Sequence, residues 1–410
     1  MGLDVTYKGS QIAQLTEDGN LTLETAGKYC EGDIELAYSG GDGDQNPVAP
    51  DNDVIFIDYD ATIRYSYTAA EFLALTELPP NPTHSGLAAQ GWNWDLTDAK
   101  AHVSKYGELI AVQLYYTSDG KTKVHFSIPQ GVSLVYCGLN VNGEVEIDWG
   151  DGTEKSTVTG NSLTTNIYTP HTYNAGNYVM AVTVVSGQAQ FTYADYWLSL
   201  ILSERKSDSS HGKMIANITE IELGRNFLLN PLSYRGLRGL KKSPISPLLN
   251  TQKEGAGFWE SYIYCFGNAE NCPIQDANGM FNGTELLKFV CLRGVISLGN
   301  SMFKASYVYK VCLDGSITEI PQEMFSGVKM LSTIVIPETV TQIGASAFYN
   351  ARSLGDICFK SQTPPVLATQ YSLTLNAPSC TIHVPAGCLE AYKTATNYPT
   401  TAQYTYVEDE

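Results

Sequence analysis

The stretch LSTIVIPETVTQIGASAF at residues 331–348 carries the pattern that decides the fold of the C-terminal part of the chain. Its apolar residues have the form L-x-x-I-x-I, and a phenylalanine ends the stretch. Phenylalanines recur at spacings of 22, 22 and 23 residues, and each is followed by an apolar triplet: Phe281 by Leu286, Phe289 and Cys291; Phe303 by Val308, Val311 and Leu313; Phe325 by Leu331, Ile334 and Ile336; Phe348 by Leu354, Ile357 and Phe359. Such a fixed period predicts a solenoid, because each unit is too small to bury its own apolar face and has to stack on its neighbours.

The residues between the apolar positions are expected to point outward and to form a continuous ladder of two columns. One column contains Lys288, Lys310, Thr333 and Asp356, and the other contains Val290, Cys312, Val335 and Cys358. Aromatic rings beside polar groups suit the recognition of sugars or proteins. The candidate binding residues are Trp259, Tyr262, Tyr264, Lys288, Tyr307, Tyr309, Lys310 and Thr333, with Tyr349 close by. The alternative interpretation is that most of these tyrosines only cover the rim of the sheet.

The composition of the 410 residues excludes several classes of protein. Hydrophobic residues make up 43% and charged residues 17%, which predicts a folded chain with two to four domains rich in β-structure. The net charge is -18 and no basic run is longer than Lys241-Lys242, so nucleic acid is not an expected partner. No apolar stretch approaches the roughly 18 to 20 residues needed to span a bilayer, so membrane insertion is not expected. Residues 1–6 lack the basic and apolar parts of a signal peptide.

The nine cysteines are predicted to be free. Their odd number and the lack of C-x-x-C spacing argue against a zinc site and against a complete disulfide framework. Cys291 is expected to face inward, whereas Cys312 and Cys358 face outward, two strands or about 9.5 Å apart, which is too far for a disulfide. We therefore expect cysteines that pack as small apolar residues.

The N-terminal part of the chain divides into short modules. Residues 1–38 contain four short β-segments (3–7, 12–15, 21–23 and 33–36), and the Gly- and Asp-rich residues 39–53 read as a linker. Residues 54–132 are predicted as an α+β module. It has a strand at 54–59 with a partner at 62–67, a helix from Thr68 or Ala69 to about Leu75 with Glu71 in its first turn, and a β-ribbon from Leu109 to Ile128 that turns at 118–120.

Two separated motifs mark a third module at residues 133–187. The first is VEIDWGDGT at residues 145–153, and the second is His171-Thr172-Tyr173 followed by a strand. Together they resemble the signature of polycystic-kidney-disease-type (PKD-type) domains. The resemblance implies a β-sandwich that acts as a spacer.

The last module is predicted to span residues 188–400. Its regular units at 279–360 resemble leucine-rich repeats of the bacterial-surface, BspA-like class, and residues 378–394 resemble the terminal strand and helix of that class. Ile218, Ile221 and Leu223 show the same apolar spacing, so the solenoid is expected to start there with irregular repeats. The whole chain is thus predicted to be mainly β and multidomain, with a C-terminal leucine-rich-repeat solenoid.

No motif predicts catalysis, and no catalytic residue, metal site or cofactor is assigned. Asp148 and Asp151 bracket a glycine-rich turn, where such side chains usually hydrogen-bond backbone amides, although a calcium site is the alternative. His171 lacks the companion motifs of a catalytic dyad. Asp58 and Asp60 alternate to one face of a predicted strand, and a polysaccharide hydrolase acting through them is the less favoured possibility.

The N-terminal modules resemble modular tail or baseplate-associated proteins of phages and prophages. The resemblance rests on residues 7–30, Phe56 to Asp60, Leu78 to Pro82 and Gln90 to Trp94. It implies a non-enzymatic tail adhesin in the virion, with a host cell-surface glycan or protein and other tail or baseplate proteins as partners, and with homo-oligomerisation possible. The alternative is a secreted or wall-associated adhesin on the bacterial cell surface.

Overall fold

The computed structural model describes residues 3–7, 10–15, 21–23, 53–129, 131, 133–194, 198–199, 201–203, 216–234, 237, 239–247, 258, 261–268 and 278–409. The chain divides into two compact units, Met1–Pro50 and Asp51–Glu410. In the first unit β1 (Leu3–Tyr7), β2 (Ser10–Leu15) and β3 (Leu21–Leu23) form an antiparallel sheet in sequence order. The three corresponding β-segments are confirmed, and the segment predicted at 33–36 lies outside the described residues.

The second unit begins with a four-stranded sheet and two helices. The sheet has the order β5-β4-β7-β6, with β4 (Val54–Ile57), β5 (Ile63–Tyr67), β6 (Leu87–Trp92) and β7 (Leu109–Thr117). α1 (Ala69–Ala74) begins as predicted, because Thr68 and Glu71 form a reciprocal capping box. α2 (Leu96–Tyr106) was not predicted, although Asp95 caps its first turn and Gly107 ends it in the left-handed conformation at φ 79°.

A five-stranded antiparallel sheet follows. It has the order β10-β9-β11-β8-β14, with β8 (Thr122–Ile128), β9 (Ser133–Asp148), β10 (Ser156–Tyr173), β11 (Gly176–Phe191) and β14 (Asn217–Glu222). Between β11 and β14, the short strands β12 (Tyr193–Ala194) and β13 (Leu198–Ser199) pair with each other. The predicted turn after β7 exists, since Gly120 N donates to Thr117 O at 3.1 Å. The predicted ribbon is wrong, however, because β7 pairs with β4 and β6 whereas β8 pairs with β11 and β14.

A row of glycines crosses the three long strands. Gly143 on β9 lies opposite both Gly160 on β10 and Gly187 on β11. A Cβ at Gly143 would stand 2.1 Å from Ser186 O, and one at Gly187 would stand 1.8 Å from Asn142 O. The strand register shifts immediately beside this row. Only glycine permits so close a backbone approach, so the row allows the three long strands to pair closely at this point.

The segment of β14 was expected to start the solenoid, and the structure corrects this expectation. β14 pairs antiparallel with β8, and a bulge between Ile218 and Glu220 shifts the register. The bulge puts Ile218 and Ile221 on one buried face three residues apart, so a bulged strand imitates the L-x-x-I-x-I spacing. Among the described residues, the parallel stacking of consecutive repeat strands begins after a 3₁₀ turn at Pro231–Tyr234, with β15 (Cys265–Gly267).

Parallel strands form the C-terminal repeats, as predicted. One sheet contains β15, β16 (Phe289–Leu292) and β17 (Lys310–Leu313), and a small sheet contains β18 (Glu319–Ile320), β20 (Gln342–Ile343) and β22 (Val366–Leu367). A third contains β19 (Thr333–Ile336), β21 (Asp356–Phe359), β23 (Cys380–Val384) and β24 (Tyr404–Glu408). β23 and α3 (Leu389–Thr394) confirm the predicted terminal strand and helix, whereas β24 was not predicted.

The four repeated phenylalanines stack as a spine. The ring centroids of Phe281, Phe303, Phe325 and Phe348 follow one another at 5.2, 5.3 and 5.1 Å, with nearly parallel planes. All four side chains are fully buried. The rise per repeat therefore approximates the spacing of adjacent strands, as a solenoid requires.

The apolar triplet predicted for the first regular repeat is shifted by one residue. Phe289 pairs with Lys310 and Cys291 pairs with Cys312, so Phe289 and Cys291 face outward. The inward triplet is Leu287, Val290 and Leu292 instead. A slip of one residue reverses the face of every side chain in a strand. Cys291 is thus an outward residue, and the ladder columns pass through Phe289 and Cys291 rather than Lys288 and Val290.

Candidate functional site: surfaces of the repeat region

The outward face of β15, β16 and β17 is covered by α2 and β7 of the same chain. His102 of α2 places its Nε2 atom 3.3 Å from Cys312 Sγ. Cys265 Sγ donates to Asp58 O at 3.2 Å, and a Cβ at Gly267 would stand 2.7 Å from Val112 Cγ2. This half of the predicted ladder is therefore an internal contact surface.

Arg293, the first residue after β16, stabilises this contact. Its Nη1 atom donates to Asn93 O at 2.6 Å, and its Nη2 atom pairs with Asp98 Oδ2 at 3.0 Å. The guanidinium lies 3.9 Å from the centre of the Trp94 ring. Arg293 is only 5% exposed, so the contact holds a cation out of water by hydrogen bonds and ring stacking. Sequence reasoning missed Arg293, because nothing in the repeat pattern signals a partner in α2.

Lys310, a predicted binding residue, forms ion pairs with other residues of the same chain. Its Nζ atom lies 3.1 Å from Asp53 Oδ1 and 3.5 Å from Glu108 Oε2, and its side chain is 16% exposed. Burial opposes the charge of Lys310, but Glu108 and Asp53 together outweigh it and raise the pKa of Lys310. For Glu108 burial outweighs the single ammonium and raises its pKa. The expectation of an outward lysine free for a ligand is corrected.

The structure gathers five of the predicted residues at one margin of the sheet, just before the strands begin. We call Tyr262, Tyr264, Lys288, Tyr307 and Tyr309 the tyrosine edge. Backbone hydrogen bonds join its members across repeats: Lys288 N donates to Tyr264 O, and Tyr309 N donates to Lys288 O, both at 2.8 Å. Tyr307 is 40% exposed, whereas Tyr309 is half-buried against Phe289. Tyr309 therefore helps to cover the rim of the sheet, whereas Tyr307 faces solvent.

The remaining predicted residues lie apart from the tyrosine edge. Thr333 opens β19 on the outward strand face and is half-buried. Tyr349 is exposed and follows Phe348 in the turn of its repeat. Trp259 lies outside the described residues.

The outward face of β21, β23 and β24 carries a polar cluster, whereas α2 reaches the turn after β19, where Tyr106 Oη donates to Glu338 Oε2 at 3.1 Å. His383 contacts Asp409 Oδ1 through Nδ1 at 3.0 Å and Asp356 Oδ1 through Nε2 at 3.2 Å. Lys360 Nζ lies 3.8 Å from Asp409 Oδ2. The side chains of Asp356 and Asp409 are 45% and 38% exposed, so this half of the face is open to solvent.

The glycine-rich turn between β9 and β10 is a hydrogen-bonded structural turn. Asp148 Oδ1 accepts from Gly150 N at 3.1 Å, and Asp151 Oδ1 accepts from Thr153 N at 3.1 Å. His171 stacks on Trp149 at 4.3 Å and reaches Asp151 Oδ2 at 2.8 Å. Burial opposes the charge of Asp151, but the hydrogen bonds from Thr153 and His171 lower its pKa. The expected bonds from backbone amides to both aspartates are confirmed.

Asp58 lies in a closed network. It is fully buried, and its Oδ1 atom accepts from Tyr115 Oη at 2.8 Å, whereas its Oδ2 atom contacts Arg64 Nε at 2.9 Å and His84 Nε2 at 2.7 Å. β4 ends at Ile57, so Asp58 and Asp60 belong to a turn and not to one strand face, which corrects the expected geometry. Asp60 is exposed and accepts from Thr62 N at 2.9 Å. Burial, helped by Asp60 and Asp58, raises the pKa of Tyr59 to about 12.

The described cysteines are free thiols, as predicted. They are Cys137, Cys265, Cys291, Cys312, Cys358, Cys380 and Cys388, of which all but Cys358 are buried. Burial raises the pKa of Cys358 to about 12, which disfavours the reactive thiolate. Cys30 and Cys272 lie outside the described residues.

Comparison with known protein families supports the prediction of BspA-like repeats. Residues 275–369 match the family described as the BspA type leucine rich repeat region, in six copies. Repeats of this type are typical of bacterial surface proteins and adhesins. No curated protein matches the chain. In the part of the chain that the structure describes, no helix is long and apolar enough to cross a membrane.

Proposed function

We propose that this chain is a non-enzymatic adhesin of a phage tail, and that its repeat region contacts the host cell surface. The observation that carries the proposal is the solenoid of BspA type repeats with an aromatic margin, the tyrosine edge, at which Tyr307 faces solvent. Many contacts along such a surface give affinity without a deep pocket. The partner is a host surface glycan or protein.

The closed hydrogen-bond network around Asp58 favours binding over catalysis. A glycosidase needs two carboxylates that reach the substrate, and Asp58 is turned inward onto three side chains. The substitution Asp58→Asn would therefore disturb folding before it disturbed any reaction. A hydrolase remains the third proposal, and release of sugar from purified host envelopes by the full chain would promote it.

The N-terminal residues supply the tail assignment, through their resemblance to tail and baseplate-associated proteins. In this proposal residues 1–38 attach to other tail or baseplate proteins, and the long strands β9, β10 and β11 act as a PKD-like spacer. β8 and β14 lie in the same sheet as those strands, which ties the spacer to the segments on both sides of it. The excess of acidic over basic residues, 43 against 25, disfavours nucleic acid as a partner.

Binding to intact cells tests the adhesin role. The labelled full chain should bind susceptible bacteria saturably and should be displaced by unlabelled protein. The fragment 190–410 is unsuitable for this test, because it lacks α2, β7 and β8, against which the repeats and β14 pack. Absence of saturable binding to every strain that the phage infects would overturn the proposal.

Location separates the tail adhesin from the alternative, a secreted or wall-associated surface adhesin. Immunogold electron microscopy with an antibody against the full chain should label tail tips of released virions. Label on the envelope of uninduced cells, with bare virions, would establish the alternative.

A further inference from the structure

A row of four side chains crosses the repeats beside the tyrosine edge. Each member stands four residues after a stacked phenylalanine, and we call Glu285, Tyr307, Lys329 and Arg352 the corner row. Tyr307 N donates to Thr284 O at 3.0 Å, and Lys329 N donates to Ser306 O at 2.9 Å. Ser353 Oγ donates to Lys329 O at 2.6 Å. These bonds place the four members side by side in consecutive repeats, and all four are exposed.

Two members of the corner row, Lys329 and Arg352, are cations that have no carboxylate partner within the part of the chain that the structure describes. Elsewhere on the solenoid, Lys304, Lys310, Lys360 and Lys393 each lie within salt-bridge distance of a carboxylate. Among the described residues, neither Lys329 nor Arg352 has such a partner, although the chain carries 18 more acidic than basic residues. Arg352 is instead oriented by its Nε atom, which donates to Asn350 Oδ1 at 2.7 Å. Two adjacent unneutralised cations in an acidic protein mark a local site for negative charge.

The row also offers apolar and hydrogen-bonding surface. Tyr307 is 40% exposed and Met330, beside Lys329, is 37% exposed. At the other end Glu285 Oε2 lies 3.5 Å from Tyr262 Oη, so that end presents a carboxylate and hydroxyls. A tyrosine next to two cations fits a ligand with an apolar ring face and an attached anion.

The spacing between members of the corner row is similar to the spacing between units of a linear polysaccharide. The spine places successive repeats 5.1 to 5.3 Å apart, which is close to the length of one hexose unit. A polysaccharide with a carboxylate on each sugar presents anions all along its length, so that its carboxylates can meet Lys329 and Arg352 while a ring lies against Tyr307.

We propose that the corner row binds an anionic polysaccharide of the uronic-acid class. This inference rests on the proposed adhesin function and names the chemistry of its partner. Lys329 and Arg352 bind the carboxylates, Tyr307 packs against a sugar ring, and Glu285 accepts from sugar hydroxyls.

The test uses the full chain and polygalacturonate, with dextran as the neutral polysaccharide and poly-glutamate as the anionic peptide. Calorimetric titration should show binding to polygalacturonate that weakens as the salt rises from about 0.05 to 0.5 M, because screening shortens the range of the charges. The pair Lys329→Gln with Arg352→Gln should weaken binding about tenfold or more. Tyr307→Ala should weaken it as well, at an unchanged melting temperature.

The matched control is the pair Lys155→Gln with Lys393→Gln, which changes the net charge equally at exposed positions outside the corner row. The proposal is overturned if this pair loses as much affinity, if dextran binds as well as polygalacturonate, or if poly-glutamate binds and polygalacturonate does not. Cell binding by the unsubstituted chain separates the two proposals. Adhesion of this chain with no affinity for polygalacturonate overturns the ligand class alone, whereas absence of both adhesion and polygalacturonate binding overturns the adhesin as well.

Discussion

The strands β15 to β17 and the strands β21, β23 and β24 belong to one solenoid, yet the outward face of the first set is covered and that of the second is partly open. The first set lies under α2 and β7, with Cys312 against His102 and Arg293 held by Asn93 and Asp98. The second set exposes the carboxylates of Asp356 and Asp409 beside the half-buried His383. The repeat pattern constrains only the inward positions, so each half can use its outward positions differently. The margin beside the strands, and not the strand face as a whole, is left for ligands in the first half.

Removal of Arg293 from the covered half should cause the largest loss of stability. The variant Arg293→Ala leaves Asn93 O without its donor and Trp94 without its stacked cation, and we expect a loss of about 2–4 kcal/mol in the free energy of unfolding. Urea unfolding of the full chain measures this. The exposed Arg352→Ala is the control and should change the same quantity by less than about 0.5 kcal/mol. Equal effects from the two variants would mean that the contact with α2 contributes nothing.

Replacing a cysteine by a larger residue at equivalent positions of the two faces tests whether one face is covered and the other open. Cys312→Leu inserts volume between β17 and His102 and should cost about 1–3 kcal/mol. Cys358→Leu, at the corresponding position of the open half, should cost less than about 1 kcal/mol, because its side chain can spread toward solvent. Thermal unfolding of both variants checks the difference. A larger loss from Cys358→Leu would contradict the assignment of the open face.

The smallest expected effect is a pH dependence at the boundary of the two halves. Burial raises the pKa of Glu108, so between its ordinary pKa and the raised value the folded state binds more protons than the unfolded state. The contribution of Glu108 to the free energy of unfolding is therefore present at low pH and falls as the pH rises through that window. Relative to Glu108→Gln, the wild-type chain should lose stability from about pH 4.5 upward.

Unfolding free energies of both proteins, measured between about pH 4 and 8, test this sign. A wild-type advantage that grows with pH would mean that the attraction of Lys310 outweighs the burial of Glu108.

Local signals were sufficient where one segment determines its own structure. The capping box of α1 involves only Thr68 and Glu71, and the phenylalanine period predicted the solenoid, in which these phenylalanines stack. The signals of α2 were equally local, namely Asp95 and Gly107, and could have predicted it. The shifted triplet at Phe289 shows the limit, because the number of residues between a phenylalanine and its strand varies by one among the repeats.

Pairing between distant segments could not be predicted in the same way. A bulge lets β14 imitate a repeat strand, and only its pairing with β8 distinguishes the two. Asp98 and Arg293 are 195 residues apart, and neither side chain is unusual in its local sequence. The tyrosine edge was predicted as a set of residues, but its division into buried and exposed members required the packing against Phe289.

The sequence by itself determined the mainly β character, the solenoid and its aromatic spine, because an apolar period needs only neighbouring repeats to bury it. The tertiary structure alone decided which outward residues are free. Lys310 and Lys329 are both lysines of the repeats, yet one is ion-paired with Asp53 and Glu108 and the other faces solvent. The difference arises because burial and charge pairing depend on segments brought together by the fold, and the period of a repeat carries no information about them.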